Sequence, residues 1–460
     1  MAPPPAAPPS VFKRIGVSVF PNVFGEKPPR EPGQALFNSL LLHFRPRRVD
    51  ERTLRLSLTW GLGGSAAVLM GLLFGSGILL KFTYQPVPEK AYESILRIMN
   101  DVPFGRLIRN VHHWSANGLV LVAALHMLRV FFTGAFRSPR QFNWVVGLGL
   151  FTAVLASNFT GYLLPWDQLA YWAVTICAGM LDTIPLIGHR LQALLVGGSE
   201  LGPRTLAIFF ALHTGVMPAL LLLLLPFHFW RIRKAGGLVV PRTPDEDQAV
   251  RGARVPAIPN LIVRELAVAT LVAAVILILS ALLDAPIGDK ANPGLSPNPT
   301  KAPWYFAGVQ ELLFHFHPLV AVIVFPAALA AGLLALPYLN LGKDSAGVWF
   351  ASRAGRKTAT VAALAALVLT PAAVIVDGFV FDSSGWLRTL PAALRGGLLP
   401  TGMLIGTLAL IYRMPRRIAD ATRMESVQAV FVFLATSWAL LTLTCVAFRG
   451  SGMSLAWPWS

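Results

Sequence analysis

The sequence predicts an all-α, polytopic membrane protein: a four-helix bundle followed by four to five further transmembrane helices. Three observations carry the prediction. Of 460 residues, 55% are hydrophobic and only 13% are charged, a balance foreign to a soluble domain of this length. Nine apolar stretches approach the roughly 20 residues that a helix needs to cross a bilayer. Two of those stretches carry histidines at matched intervals, His112 and His126 in one, His213 and His228 in the other.

In chain order, residues 1–57 read as a cytoplasmic tail and surface helix. Residues 1–34 form a polar, poorly ordered tail. It opens on the Pro-rich run Met-Ala-Pro-Pro-Pro-Ala-Ala-Pro-Pro-Ser and lacks the apolar core of a signal peptide. Residues 35–47 mix apolar and basic side chains as a helix on a lipid surface does; a plain juxtamembrane linker is the alternative. Spans are expected near 58–82, 107–133, 143–164, 205–231, 261–283, 318–339, 358–377, 394–412 and 427–448. Basic loops at 45–55, 137–140, 231–254, 343–357 and 413–423 alternate with loops poor in Lys and Arg. About 27 of the 39 Lys and Arg fall on one side and about 12 on the other, so the richer side, with the N-terminus, is cytoplasmic and the C-terminus external. The net charge of +17 resides in these loops and not in a continuous stripe, which argues against nucleic acid as a partner.

His112 and His126 are fourteen residues apart, close to four helical turns. Both imidazoles therefore leave one face, roughly 21 Å apart along the axis, one near each side of a hydrocarbon core about 30 Å thick. His213 and His228 are fifteen apart. Two such helices packed antiparallel supply two axial His pairs, a low-spin, electron-transferring way to hold haem iron. One such His alone would read as a hydrogen-bonded helix residue, but four at this depth are costly without a function. Gly63 and Gly77, and Gly147 and Gly161, repeat the fourteen-residue interval on the first and third spans. A flat macrocycle against a helix needs the side chain removed there, although close helix packing explains any single glycine. The pattern implies two haems inside a four-helix bundle. Arg109, three residues before His112, and Arg129, three after His126, suit haem propionates, with interfacial snorkelling as the alternative. Cys177 and Cys445 form no CxxC or CxxCH, which excludes a c-type haem or an iron–sulfur cluster within the chain.

His112-His113-Trp114-Ser115-Ala116, the run from Thr133 through Phe136 to Trp144, Gly161-Tyr-Leu-Leu-Pro-Trp-Asp-Gln168 and Tyr171-Trp-Ala-Val174 resemble cytochrome b of the quinol:cytochrome c oxidoreductases. The likeness is closest to the plastid and cyanobacterial form, whose fifteen-residue His interval and following proline reappear as His213, His228 and Pro218. It covers about residues 50–340, with the two plastid-type parts fused. The resemblance implies a low-potential b haem on His112 and His213 near the outer face, and a high-potential b haem on His126 and His228 near the cytoplasmic face. Antiparallel packing of the two helices requires the same pairings.

The external Pro-rich loop 286–303 leads to Ala302-Pro303-Trp304-Tyr305-Phe306, which resembles the family's Pro-Glu-Trp-Tyr quinol-oxidation signature with Pro303 in place of the glutamate. A general base must lie within hydrogen-bond reach of the hydroxyl it deprotonates. Glu311, with His315 and His317 nearby, is the candidate substitute; an interfacial carboxylate without catalytic duty is the other reading. Trp304 and Tyr305 are expected to stay near the site. Gly61 stands where the plastid form has a cysteine binding an extra haem, so no thioether-linked third haem is expected. Arg233 and Lys234 follow His228 and face either a quinone-reduction pocket or lipid headgroups, and Asp50 is a weaker candidate for proton delivery there.

The resemblance implies the cytochrome b subunit of a respiratory, proton-translocating bc-type complex in a bacterial inner (cytoplasmic) membrane. Residues 58–234 would form the di-haem bundle, 235–345 the quinol-site helices and loop, and 346–460 the C-terminal helices. The partners would be quinol and quinone, a Rieske iron–sulfur protein, a c-type cytochrome, the lipid membrane and a second copy of the complex. A non-bifurcating di-haem anchor of another redox enzyme is the alternative. A non-redox transporter or scaffold would show no haem spectrum.

Overall fold

The computed structural model describes residues 10–19, 48–246, 252–342, 345–381, 391 and 393–457. The expected surface helix at 35–47 lies outside them. Among the described residues, nine helices are long and apolar enough to span a membrane. The chain is a multi-pass membrane protein, and the predicted spans agree with the observed ones to within a few residues at most ends.

Part of the expected disordered tail is helical. In α1 (Val11–Val19), Ser18 Oγ accepts from the Phe142 amide at 3.0 Å and the Ser18 carbonyl accepts from Arg231 Nη2 at 2.7 Å. Val11, Phe12 and Ile15 stay exposed, as they would on a helix lying at a lipid surface. Tertiary docking orders this stretch, which composition alone assigns to the tail. Further on, β1 (Arg48–Asp50) pairs antiparallel with β2 (Arg254–Pro256).

The bundle consists of α2 (Leu62–Lys81), α4 (Gly105–Phe132), α5 (Gln141–Tyr162) and α8 (Pro203–Lys234), with α3 (Pro88–Asn100), α6 (Gln168–Leu181) and α7 (Gly188–Val196) as short helices at its ends. α2 packs along α4, and α5 along α8. Leu69, Leu119, Val120, Val154 and Leu221 fill the middle. α8 contains a π-helical turn at Leu212–Val216. Pro218 has no N–H for the Thr214 carbonyl and its ring crowds that oxygen, so the helix accommodates an extra residue in this turn. That residue offsets the fifteen-residue interval, and His213 and His228 both face α5.

α9 (Ala257–Leu282) leans on α2 and α4. α10 (Trp304–His315), at twelve residues, is too short to span. α11 (Val320–Tyr338), α12 (Arg353–Phe379), α13 (Leu394–Ile418) and α14 (Arg423–Ala447) complete the chain, with α14 central among α10, α12 and α13. Phe131, Phe132, Phe136, Trp144, Leu336 and Met424 join the two halves, and Trp144 Nε1 donates to the Leu333 carbonyl at 2.7 Å. α13 keeps most of its apolar side chains on the outside, which a hydrocarbon solvent permits and water would not.

Candidate functional site

The four histidines form two layers inside the bundle, each facing a glycine of the neighbouring helix. A Cβ on Gly77 would lie 3.2 Å from His112 Cε1, and one on Gly161 would lie 2.5 Å from His213 Cε1. In the other layer the distances are 3.6 Å from Gly63 to His126 Cε1 and 3.6 Å from Gly147 to His228 Cε1. The glycine interval therefore gives clearance to the imidazoles themselves.

His112 and His213 face each other across the bundle with ring centroids 6.1 Å apart and planes at 73°. A metal about 2.0 Å from one nitrogen of each ring would hold the centroids roughly 6 Å apart. His213 Nδ1 donates to the Ser157 carbonyl at 3.0 Å. His112 Nδ1 lies 3.0 Å from Ser76 Oγ, whose own proton goes to the Leu72 carbonyl at 2.6 Å. Both rings thus carry their proton on Nδ1 and leave the Nε2 lone pair available to a metal. Among the described residues no three of His, Cys, Asp and Glu are grouped as metal ligands, and the pair His112 and His213 offers two. In the second layer, Arg129 Nη2 sits 3.4 Å from His126 Nδ1, and Arg129 Nε is buried without a partner. An orphaned buried guanidinium nitrogen fits an anionic group such as a propionate.

Arg109 is engaged by the chain itself. Its buried guanidinium donates to the Ala285 and Pro286 carbonyls at 2.7 and 2.8 Å, and these bonds commit it to the loop after α9. Asn110 and Trp114 clamp the same segment: Asn110 Nδ2 donates to Ser280 O at 2.9 Å, and Trp114 Nε1 to Leu283 O at 2.9 Å. A spacing argument could not anticipate this, because the carbonyls come from 176 and 177 residues away.

The Pro-rich loop is held by the start of α6. Asp167 caps that helix through the Ala170 amide at 2.9 Å and accepts from the Gly288 amide at 3.1 Å. Gln168 Oε1 accepts from the Asn292 amide at 2.6 Å. The loop delivers α10 with Trp304 Nε1 donating to Asn117 Oδ1 at 2.7 Å, five residues beyond His112, and Tyr305 packed against the bundle core. Trp304 and Tyr305 line a cleft of about 2770 Å³ between α4, α5, α6, α10 and the C-terminal helices.

Glu311 does not line that cleft. It is fully buried and pairs with Arg449 through Nη2–Oε1 at 2.6 Å and Nε–Oε2 at 3.0 Å. His315 does line it, with Nδ1 2.6 Å from Asp377 Oδ2 and Nε2 3.3 Å from Glu311 Oε1. Asp377 and Arg449 escaped the sequence reading. An acidic residue closing an otherwise apolar span was the available signal for Asp377.

At the end carrying the basic loops, Arg233 lies half-buried in the last turn of α8. Arg231, not singled out by the sequence, stacks on Phe142 at 5.1 Å. Asp50 is engaged by Arg52 Nε at 3.1 Å and the Gly252 amide at 3.1 Å, and the Arg52 hydrogen bond holds its carboxyl below the usual range. This is a structural knot, with Arg52 also bridging to Glu246 at 2.5 Å. Gly61 has φ +66, and a Cβ there would meet Val268 Cγ2 at 3.1 Å, so the position has little room for a side chain.

Residues 51–236 match the family model described as cytochrome b/b6/petB. Cytochrome b6 of Prochlorococcus marinus (strain NATL1A) is 45% identical over 175 residues, which are 38% of this chain and 80% of that protein. Cytochrome b6 of Synechococcus sp. (strain WH7803) is similar to the same extent. A solved structure, a hyperthermophilic respiratory Complex III, shares the fold over 91% of this chain and 96% of its own, with a TM-score of 0.62 at 22% identity.

Proposed function

From a chain that belongs to the cytochrome b/b6 family, a family that binds b haems, we propose the cytochrome b subunit of a respiratory bc-type complex in a bacterial cytoplasmic membrane. It would oxidise quinol at the outer side and return electrons to quinone at the basic, cytoplasmic side. The observation that carries this reading is the His112–His213 pair, 6.1 Å between ring centroids, beside the segment bearing Trp304 and Tyr305. A redox pair next to an apolar cleft with aromatic walls is what electron extraction from a membrane-soluble ring requires.

His112 with His213 would hold the low-potential haem, and His126 with His228 the high-potential one. Bound there, the b haems supply one-electron transfer at iron. Everything else is the work of side chains. Ser157 and Ser76 fix the tautomers of the outer pair. Arg129 would neutralise an acidic substituent in the inner layer, and Leu69, Leu119, Val120, Val154 and Leu221 fill the middle of the bundle with apolar side chains. With His at all four positions that would hold the haems, the two potentials would have to differ through such surroundings. Asn117 orients Trp304, and Asp167 and Gln168 fix the loop that carries it. Arg233, at the basic end, suits a quinone carbonyl or an anionic headgroup.

The complex would include a Rieske iron–sulfur protein taking the first electron, a c-type cytochrome beyond it, and a second copy of the whole. The test is b-haem reduction by quinol in the purified complex with the cytoplasmic-side site blocked. Extra reduction triggered by an oxidant is expected. Reduction that needs no oxidant would replace this reading with a non-bifurcating di-haem anchor, and absence of a b-type spectrum would remove both.

A further inference from the structure

α10 carries Trp304 and Tyr305 yet has little of its own to hold it in place. It is twelve residues long, and its N-cap, Pro303, makes no side-chain cap bond, so on its own the helix is marginal. We propose that the end of α14 and the segment after it form a clasp that positions α10 for quinol oxidation, with Arg449 and Gln310 as the positioning residues. The inference rests on the quinol-oxidising reading above.

The clasp begins with close approach. A Cβ on Gly308 would lie 2.9 Å from Trp438 Cε2 and 3.0 Å from Thr442 Oγ1, so α10 meets α14 where a side chain would not fit. Apolar contact is non-directional and leaves the helix free to slide or tilt. Glu311, three residues on and on the same face, supplies the direction. It is 0% exposed, and its two oxygens take Arg449 Nη2 at 2.6 Å and Nε at 3.0 Å, a fork that fixes orientation as well as distance. Arg449 is itself anchored. Its Nη1 donates to the Met453 carbonyl at 3.0 Å, and its guanidinium stacks on Phe314 at 4.5 Å. Behind it the chain folds back, with the Gly450 amide on Ser454 O at 2.9 Å and the Ala456 amide on Phe448 O at 3.0 Å. His315 closes the far end of α10, its Nδ1 2.6 Å from Asp377 Oδ2 and its Nε2 3.3 Å from Glu311 Oε1, so both ring nitrogens are engaged within the chain.

A second hold grips the loop that enters α10. Gln310 Nε2 donates to the Thr300 carbonyl and its Oε1 accepts from the Ala302 amide, both at 2.7 Å. Cys445 Sγ, on α14, reaches the same oxygen at 3.4 Å. Lys301 Nζ donates to the Val446 carbonyl at 2.8 Å, and the Gly452 amide to Asn298 Oδ1 at 2.5 Å. The chain is therefore tied to the end of α14 on both sides of Trp304. Glu311 lies two turns beyond Trp304, about 10 Å along the axis, so a tilt of α10 about the ion pair moves Trp304 and Tyr305 relative to the His112–His213 layer. A buried, two-point ion pair serves here to fix geometry more than to add stability.

The experiment uses the intact complex with three variants. Arg449→Met/Glu311→Leu leaves no charge stranded, Arg449→Lys keeps the charge without the fork, and Gln310→Ala releases the loop. Quinol kcat/KM is measured beside thermal inactivation, the b-haem spectrum and a redox titration of the haems. The double variant is expected to keep most of its thermal stability, with haem spectrum and potentials unchanged, while kcat/KM falls by about 10²-fold, the cost of a misplacement of roughly 1 Å. Arg449→Lys is expected to lose less. Gln310→Ala is expected to lower kcat/KM and to speed hydrogen exchange of the Ala302 amide. Recovery of kcat/KM together with stability in the double variant overturns the assignment, because the pair then only stabilises. A wild-type kcat/KM in Gln310→Ala overturns it as well. Failure of oxidant-induced haem reduction in the unmodified complex overturns the quinol-oxidising reading itself, so the two failures are distinguishable.

Discussion

The four bundle glycines make a graded test of the two-layer arrangement. Alanine at Gly161 would bring a methyl to 2.5 Å from His213 Cε1, about 0.9 Å inside ordinary contact. The ring cannot simply swing away, because its Nδ1 is held by Ser157 O at 3.0 Å. Overpacking of this kind costs about 1–3 kcal/mol, which converts to roughly 5- to 150-fold in affinity for whatever the ring ligates. Alanine at Gly77 would sit 3.2 Å from His112 Cε1, and the same change at Gly63 or Gly147 would sit 3.6 Å from its histidine, an ordinary contact. The expected order of haem loss is therefore Gly161→Ala, then Gly77→Ala, with Gly63→Ala and Gly147→Ala near wild type. Reduced-minus-oxidised spectra per mole of purified protein, with a redox titration to separate the two haems, read it directly. The two severe variants should lose the haem of the outer layer and keep the other. Equal losses at all four positions, or the worst loss at Gly147, would refute the geometry.

Further outcomes follow from the same contacts. Arg449→Met strands the buried Glu311 carboxylate and should cost about 3–5 kcal/mol, seen as faster thermal inactivation in detergent; Arg449→Met with Glu311→Leu should recover most of it. Asp167→Ala removes a helix cap and a loop anchor together. It should cost about 1 kcal/mol and expose the 286–303 loop to protease, while the haem spectrum stays unchanged. The depressed Asp50 carboxyl contributes stability that is present above its unfolded value, about pH 3.9, and lost as pH falls through the lower folded value. Exchange of the Gly252 amide should accelerate in that acid window, and Asp50→Asn should remove the dependence. His126→Leu should remove the inner-layer haem alone, leaving the His112–His213 spectrum.

Much of this molecule is legible without coordinates because a bilayer imposes hard rules. A span needs about 20 apolar residues with every backbone group satisfied within the helix, so run lengths alone placed the nine spans. Polar side chains at that depth are too costly to be incidental, and helical periodicity alone puts His112 and His126 on one face with Gly63 and Gly77 in the same register. What the sequence could not settle depends on contacts between residues far apart in the chain. The turn that brings His213 into register arises from the local clash at Pro218, but that it faces Gly161 depends on how α5 and α8 dock. Arg109 spends its hydrogen bonds on carbonyls at 285 and 286, and Ser18 is buried only because α5 and α8 meet it. Glu311 looked like an open carboxylate until Arg449, 138 residues on, closed over it. Periodicity reports which face a residue occupies. Only tertiary packing decides which partner waits there, because desolvation and charge pairing are properties of the assembled site.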